Sequence, residues 1–435
     1  MRTGRRLLAV TAAVLGLAAL VTPVAAADSP VYGTTPIQVI DAEHPLPEIG
    51  SIIPAAELTR RSPGTANPPA PAQLTEHGEE VGLRTGATYA SSPEDVPASN
   101  VETRRVRDDI SDCWQELGGR PGDKVISHFR FCSMREMGYN TIDQNGKVVG
   151  RVAFMQTTYG VAPTDDRAAY FTTSLDNFAL TGVTSDGFLA VGAAASGYTG
   201  ADGSNKPCEV DDNASNPTRL SQWKDTSRTA LHWVTQDRAD GYGRDHLSRC
   251  GVATSVKNST GNWVTVMQTG IRIDSASYLS GPVGQAIFDR VVPVMQYSRT
   301  NPNNGDVGKH IYTAQTNPAA TDPNVPGKAI PGSIASKKTL SRLYEDWDPA
   351  AKTQRAKNES AKNTACAPIR PTPSTGLDCD EYPFGSTWEG AGRGDKNFSV
   401  KYLNASQNRS AGALLGNWYS SDRILHRDRF YVTIR

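Results

Sequence analysis

The chain has 435 residues, with 45 Lys and Arg balanced by 45 Asp and Glu, so net charge alone points to no class of partner. Hydrophobic residues make up 38% of it. Beyond the N-terminus no stretch is long and apolar enough for a helical membrane span, and the length suits two domains with a linker.

The N-terminus carries Arg2, Arg5 and Arg6, an apolar run over 7–21, and Ala25-Ala26-Ala27. A basic start, a short apolar stretch and an A-x-A site predict a secretory leader over 1–27, cleaved after Ala27. The mature protein is then expected outside the cell, with no membrane anchor. Residues 28–106 are rich in Pro, Ala and Glu and poor in aromatics, the composition of a linker or propeptide.

From 107 to 300 the pattern becomes short runs such as KVVGRVAFMQTTYG and NWVTVMQTGIRID. β-branched and aromatic residues bounded by Gly, Asn and Asp predict an antiparallel, β-rich, sandwich-like module. Asn145-Gly146 between Ile142 and Val148 is a hairpin signal. Asp165-Asp166 and Asp211-Asp212 read as turns, and His232 as a strand residue. Nothing in this module names a ligand.

The six cysteines include no CxxC pair, which favours disulfides in an oxidising compartment over a zinc site. Nearest-neighbour pairing is the simplest connectivity: Cys113–Cys132, Cys208–Cys250 and Cys366–Cys379. The last would close a short loop worth roughly 3 kcal/mol in the chain-entropy model.

Residues 301–435 read as a small α+β domain. They carry 18 Lys and Arg against 13 Asp and Glu, whereas 28–300 carry 24 against 32. A modest positive field in the C-terminal third suits a polyanion. Asp348 followed by Pro349 is an N-cap with proline at the first helical position, opening a helix that ends near Cys366. The stretch LDCDEYPFGSTWEG, at 377–390, crowds Asp378, Asp380 and Glu381 together, with Glu389 close behind. A strand over 398–403, a turn over 404–407 and a helix over 409–419 follow, and RFYVTIR closes the chain as a strand. Asn408 and Arg409 then fall at a helix N-terminus, where free N–H groups favour phosphate. Asn can bind a hard cation and Arg can grip a phosphate. By spacing alone, the acidic run reads as a solvated turn.

DCDEYPF, then EG, FSVKYL and QNRSAGALLGN, together spanning 378–419, resemble the NucA/NucB family of secreted bacterial deoxyribonucleases. GKHI at 308–311 is similar to a shorter upstream element of that family. The resemblance covers the C-terminal domain only. It implies a core like that of the ββα-metal nucleases, with an aspartate replacing histidine as general base. It implies a metal-dependent endonuclease acting on DNA with little sequence preference, RNA being left open, and a divalent ion, Mg²⁺ or Mn²⁺, as cofactor. By motif position Asp380 is the base. Glu381 and Glu389 ligate or orient the metal or its waters, Asn408 is the metal ligand, and Arg409 contacts phosphate. His310, in the upstream element, and His426, before the last strand, are candidates for substrate-side or supporting roles. Asp378 receives no role.

The chain departs from the family pattern at Gln407, where relatives carry an acid, at Ser410 for Gly, and at Trp388 for a second Glu. These changes bear on rate and metal affinity more than on reaction type. Two other readings stand beside the scavenging nuclease. One is a nuclease toxin delivered by the β-rich module and held in check by an inhibitor protein. The other is a surface- or wall-binding β-rich protein with a degenerate nuclease-like tail.

Overall fold

A computed structural model describes residues 31–58, 88–91, 110–164, 166–198, 208–212, 218–225, 229–236, 247–280 and 284–435. Residues 1–27, expected to be a leader, and Asp165 lie outside the described residues. Two antiparallel sheets dominate the chain up to about residue 290. The first runs Arg130–Ile142, Val148–Val161, Ala168–Gly182, Thr229–Gln236 and Cys208–Asp212 in neighbouring order. The second runs Thr218–Arg219, Phe188–Tyr198, Leu247–Asn258, Val264–Asp274 and Gln285–Ile287.

Alternation builds these sheets. Along Val148–Val161 the side chains first alternate buried and half-buried, as a pleat with one face on a core requires. Phe131, Phe171 and Val234 of the first sheet meet Val252, Met267 and Ile271 of the second in one core. Each such side chain contributes about 1.5–3 kcal/mol on burial. The Asn145-Gly146 hairpin forms as expected, with Ile142 opposite Val148 and Gly146 at φ 77°. That positive φ is what the Asn-Gly pair supplies. Asp211 and Asp212 are not a turn: they lie in the Cys208–Asp212 strand, opposite Trp233 and His232. There the ladder partner decides the conformation, which outweighs the low β-propensity of aspartate.

The disulfides are Cys113–Cys132, Cys208–Cys250 and Cys366–Cys379, a pattern of proteins that mature in an oxidising compartment. Among the described residues, no helix is long and apolar enough to cross a membrane.

Part of the segment read as linker is built into the fold. Gly33–Thr34 and Gln38–Val39 pair with Arg130–Ile142, and Ile37, Leu46 and Ile53 are buried. Thr88–Ser91 pairs in parallel with Val292–Tyr297. A few apolar residues among prolines suffice to dock a segment, and a composition average hides them.

The C-terminal α+β region is organised on a sheet ordered Leu340–Ser341, Arg429–Ile434, Val292–Tyr297 and Thr88–Ser91. A separate hairpin pairs Leu377–Tyr382 with Ser399–Asn404. Three helices cover these strands: Gly305–Thr316, Pro349–Cys366 and Ala405–Ser421. Tyr297, Ile311, Tyr382, Leu415, Trp418 and Phe430 form a core under the first and last of these helices, while Cys366 of the middle one packs with Ala391, Phe398 and Val400. The Pro349–Cys366 helix starts as predicted, with the Asp348 carboxylate accepting from the Ala351 N–H at 2.7 Å. The Ala405–Ser421 helix begins four residues earlier than the predicted 409. Asn404 caps it by accepting from the N–H groups of Ser406 and Gln407, so the strand runs straight into the helix. Asn408 and Arg409 therefore sit in the helix body, and the first-turn N–H groups, which belong to the residues before them, are already bonded, that of Ala405 to the Gly376 carbonyl.

Buried charge joins the two regions. Arg272 donates from Nη1 to Asp428 at 2.6 Å and from Nη2 to the Arg423 carbonyl at 2.6 Å. Arg423 in turn donates from Nε to Asp274 at 3.0 Å, and the His128 imidazole hydrogen-bonds the Asp422 carbonyl at 2.5 Å.

Candidate active site

The acidic strand Leu377–Tyr382 presents its carboxylates to two sides by strand alternation. Asp378 and Asp380 share one face, Cys379 and Glu381 the other. Asp380 is only 8% exposed. Its Oδ2 lies 2.7 Å from Nδ1 of His310, whose Nε2 lies 2.7 Å from the Ser399 hydroxyl. A carboxylate can only accept, so Nδ1–H donates to Asp380 and Nε2 is left to accept from Ser399. The Gly305–Thr316 helix supplies His310, and the strand paired with Asp380's own supplies Ser399. The carboxylate is thereby fixed by two elements at once.

Glu381 stands against the Pro349–Cys366 helix, with Oε1 4.0 Å from Nη1 of Arg355. Its Oε2 is buried and finds no hydrogen-bond partner among the described residues. Burial pushes its pKa up to about 7; Lys362 and Arg355 pull the other way, and the nearby Asp380 adds to the rise. Gly385 makes room here, because a Cβ at that position would collide with the Arg355 guanidinium and the Glu381 carboxylate. The Cys366–Cys379 disulfide ties the end of this helix to the acidic strand.

Asp380, Glu381, Asn408, Arg355, Lys362 and Ser386 line one cleft of about 370 Å³. The structure thus brings together three of the residues expected from sequence, Asp380, Glu381 and Asn408. It adds two cations that the sequence reading missed. Arg355 and Lys362 are seven residues apart, two turns on one helix face, and that spacing was the available signal.

The other expected residues lie elsewhere. Arg409 is exposed and forms an ion pair with Asp378, Nε to Oδ2 at 3.0 Å and Nη2 to Oδ1 at 3.4 Å. That pair gives Asp378 its partner. Glu389 accepts from the Ser341 N–H at 2.7 Å and from its hydroxyl at 3.1 Å. Both its oxygens hold the Leu340–Ser341 strand, and burial raises its pKa. His310 is 1% exposed, so it reaches Asp380 and not a substrate. His426 stacks on Trp347 at 4.9 Å, meets Trp388 edge-on at 5.8 Å and accepts from the Tyr344 N–H at 3.1 Å. Neither Arg409, Glu389 nor His426 is among the residues lining this cleft. Gln407 accepts from the Asp306 N–H at 2.9 Å, which caps the helix bearing His310.

Whether these groups suit a cation follows from their donors. Among the described residues, no three His, Cys, Asp or Glu converge as a ready-made cage. The cleft instead offers carboxylate and carboxamide oxygens, including the unsatisfied Oε2 of Glu381. Such a set fits a hard divalent ion that keeps several of its waters.

Residues 333–433 match the deoxyribonuclease NucA/NucB family. The match contains Asp380, Glu381, Asn408, Arg355 and Lys362, and leaves out His310 and the β-rich region. No curated protein and no solved structure matches the chain. The chain therefore carries a NucA/NucB deoxyribonuclease domain at its C-terminal end.

Proposed function

We propose, with the NucA/NucB deoxyribonuclease domain at 333–433 as premise, that this protein is a secreted, divalent-metal-dependent endonuclease. It would hydrolyse phosphodiester bonds in DNA with little sequence preference. One observation carries the reading: a buried carboxylate backed by His310, an unsatisfied Glu381 oxygen, Asn408 and two cations meet in one cleft. The core is read as ββα-metal-like, because the Leu377–Tyr382 and Ser399–Asn404 hairpin leads directly into the Ala405–Ser421 helix. Export is supported by the leader-like N-terminus and the three disulfides.

In this reading Asp380 takes a proton from water as the water oxygen attacks phosphorus. His310 holds the carboxylate in place, and Ser399 holds His310. Arg355 and Lys362 offset charge that builds on the phosphate oxygens as the P–O bond breaks. Asn408 and Glu381 would hold Mg²⁺ or Mn²⁺, which when bound supplies positive charge to the scissile phosphate. The cations facing the cleft suit phosphate rather than base edges, so binding should be strongly salt-dependent and indifferent to sequence.

The test is cleavage of supercoiled plasmid by the purified chain. With Mg²⁺ the plasmid should be nicked and then degraded, EDTA should stop this, and added Mn²⁺ should restore it. Undiminished cleavage in EDTA would remove the metal from the mechanism, and no cleavage with any metal would sink the assignment. Parallel lanes with RNA set the range of substrates.

The Glu381 carboxyl adds a pH signature. A cation needs the ionised form, and burial holds the pKa of this group at about 7. Apparent metal affinity should therefore rise nearly tenfold per pH unit below about 7 and level off above it. Titration calorimetry with Mn²⁺ between pH 5.5 and 8.5 reads this directly. In Glu381→Gln the pH dependence should flatten, and an unchanged slope would take Glu381 out of the metal site.

A further inference from the structure

A second cavity, of about 330 Å³, opens where the β-rich region meets the C-terminal domain. Arg249, Arg272 and Arg290 line it from one side, Arg427 and Arg429 from the other. Against these five arginines stand only Asp289 and Asp428, and both are already engaged. Asp289 lies 3.4 Å from Arg249 and 3.7 Å from Arg290. Asp428 is taken by Arg272 at 2.6 Å and by the Leu425 N–H at 2.6 Å. The carboxylates fix the guanidinium groups in place without matching their number.

Two buried donors, one from each side of the lining, lack acceptors among the described residues. Arg272 is 3% exposed, and its Nε finds no hydrogen-bond partner among the described residues. His426 also lines the cavity, and its Nδ1 accepts from the Tyr344 N–H. Burial, with Arg427 nearby, pushes the pKa of this ring down to about 4, so it is neutral at pH 7. The single ring proton then sits on Nε2, which is buried and likewise without a partner. A buried donor left unsatisfied is costly, and pre-aligned arginines favour an acceptor with several charged oxygens.

We propose that this junction pocket binds a phosphate group. The phosphate belongs either to the backbone of bound DNA or to free phosphate or a nucleotide. None of the residues lining it lines the catalytic cleft, so the β-rich region contributes to ligand binding and not only to support. The inference goes beyond the cleavage reading, because its first measurement needs no DNA.

The test uses the full chain in an Asp380→Ala background, where DNA stays intact. Inorganic phosphate is titrated by calorimetry at low ionic strength, with and without Arg249→Gln and Arg429→Gln together. Phosphate affinity should fall at least tenfold in that variant. Melting temperature without phosphate shows whether the fold is retained. Should Arg249→Gln unfold the chain, exposed Arg429→Gln alone carries the comparison, with a smaller drop expected. Anisotropy of a short labelled duplex, measured across a salt series, then separates the sources. Weaker DNA binding with a salt slope shallower by about one identifies a backbone phosphate. A loss confined to inorganic phosphate identifies a free phosphate or nucleotide. Phosphate binding unchanged by the substitutions overturns the proposal.

Discussion

Asp380→Asn should lower the rate of DNA cleavage by about 10²–10⁴-fold while leaving DNA affinity nearly unchanged. Asparagine keeps the size of the side chain and can still accept a hydrogen bond from His310, but it cannot take a proton from water. The contrast with His310→Ala makes the assignment testable. His310 is buried and touches Asp380 at 2.7 Å, so its effect on chemistry passes through Asp380. Alone, His310→Ala should slow cleavage by leaving the carboxylate free to turn. Added to Asp380→Asn, it should cost little more, because there is no base left to position. Its cost in stability is a separate quantity, since removal leaves a cavity and orphans the Ser399 hydroxyl. Single-turnover nicking rates at saturating protein, with thermal melts alongside, separate the two. An Asp380→Asn variant within tenfold of wild type would move the base elsewhere.

The elements that could be read from sequence are those decided by local chemistry. Asp348-Pro349 specifies a helix start by capping and a fixed φ, and Asn145-Gly146 specifies a turn by positive φ. Asp380 and Asn408 could be placed together because a hairpin and the helix behind it are contiguous in the chain. What escaped reading is decided by distant partners. Thr88–Ser91 and Val292–Tyr297 join a sheet through parallel pairing, which needs no local turn and leaves no mark in either segment. Within NASQNRS, Asn404, Ser406 and Asn408 could each cap a helix. Asn404 takes the role because the strand register ends there. Asp378 looked like surplus charge until Arg409, one strand and one helical turn later, supplied its partner. Glu389 and His426 are held by Ser341, Tyr344 and Trp347, contacts that no spacing rule connects.

Arg423→Ala should destabilise the protein by about 3–5 kcal/mol, the cost of leaving a buried charge without its partner. Arg423 is 1% exposed and Asp274 is fully buried. The two come from opposite sides of the junction, Asp274 from the second β-sheet and Arg423 from the loop after the Ala405–Ser421 helix. Arg423 also sits at φ 49°, a left-handed conformation costing a non-glycine residue about 1–3 kcal/mol. Its bonds to Asp274, with the Arg272 bond to its own carbonyl, help hold it there. Without the guanidinium, Asp274 keeps the Ala276 N–H at 3.2 Å, with Arg272 at 4.0 Å too far for a hydrogen bond, and the loop loses one of its anchors. Chemical denaturation with the disulfides intact measures the loss as a lower midpoint. Replacing both partners, as Arg423→Met with Asp274→Leu, should recover much of it, because the penalty lies in the uncompensated charge rather than in missing attraction. A double variant no more stable than Arg423→Ala would show that packing, not charge, joins the two regions. The same contacts bear on excision of the C-terminal domain. A fragment starting at residue 301 would lack the Val292–Tyr297 strand, which lies between Arg429–Ile434 and Thr88–Ser91 in the sheet. It would also bury Arg423 without Asp274, so it should melt well below the full chain even if the catalytic cleft is complete.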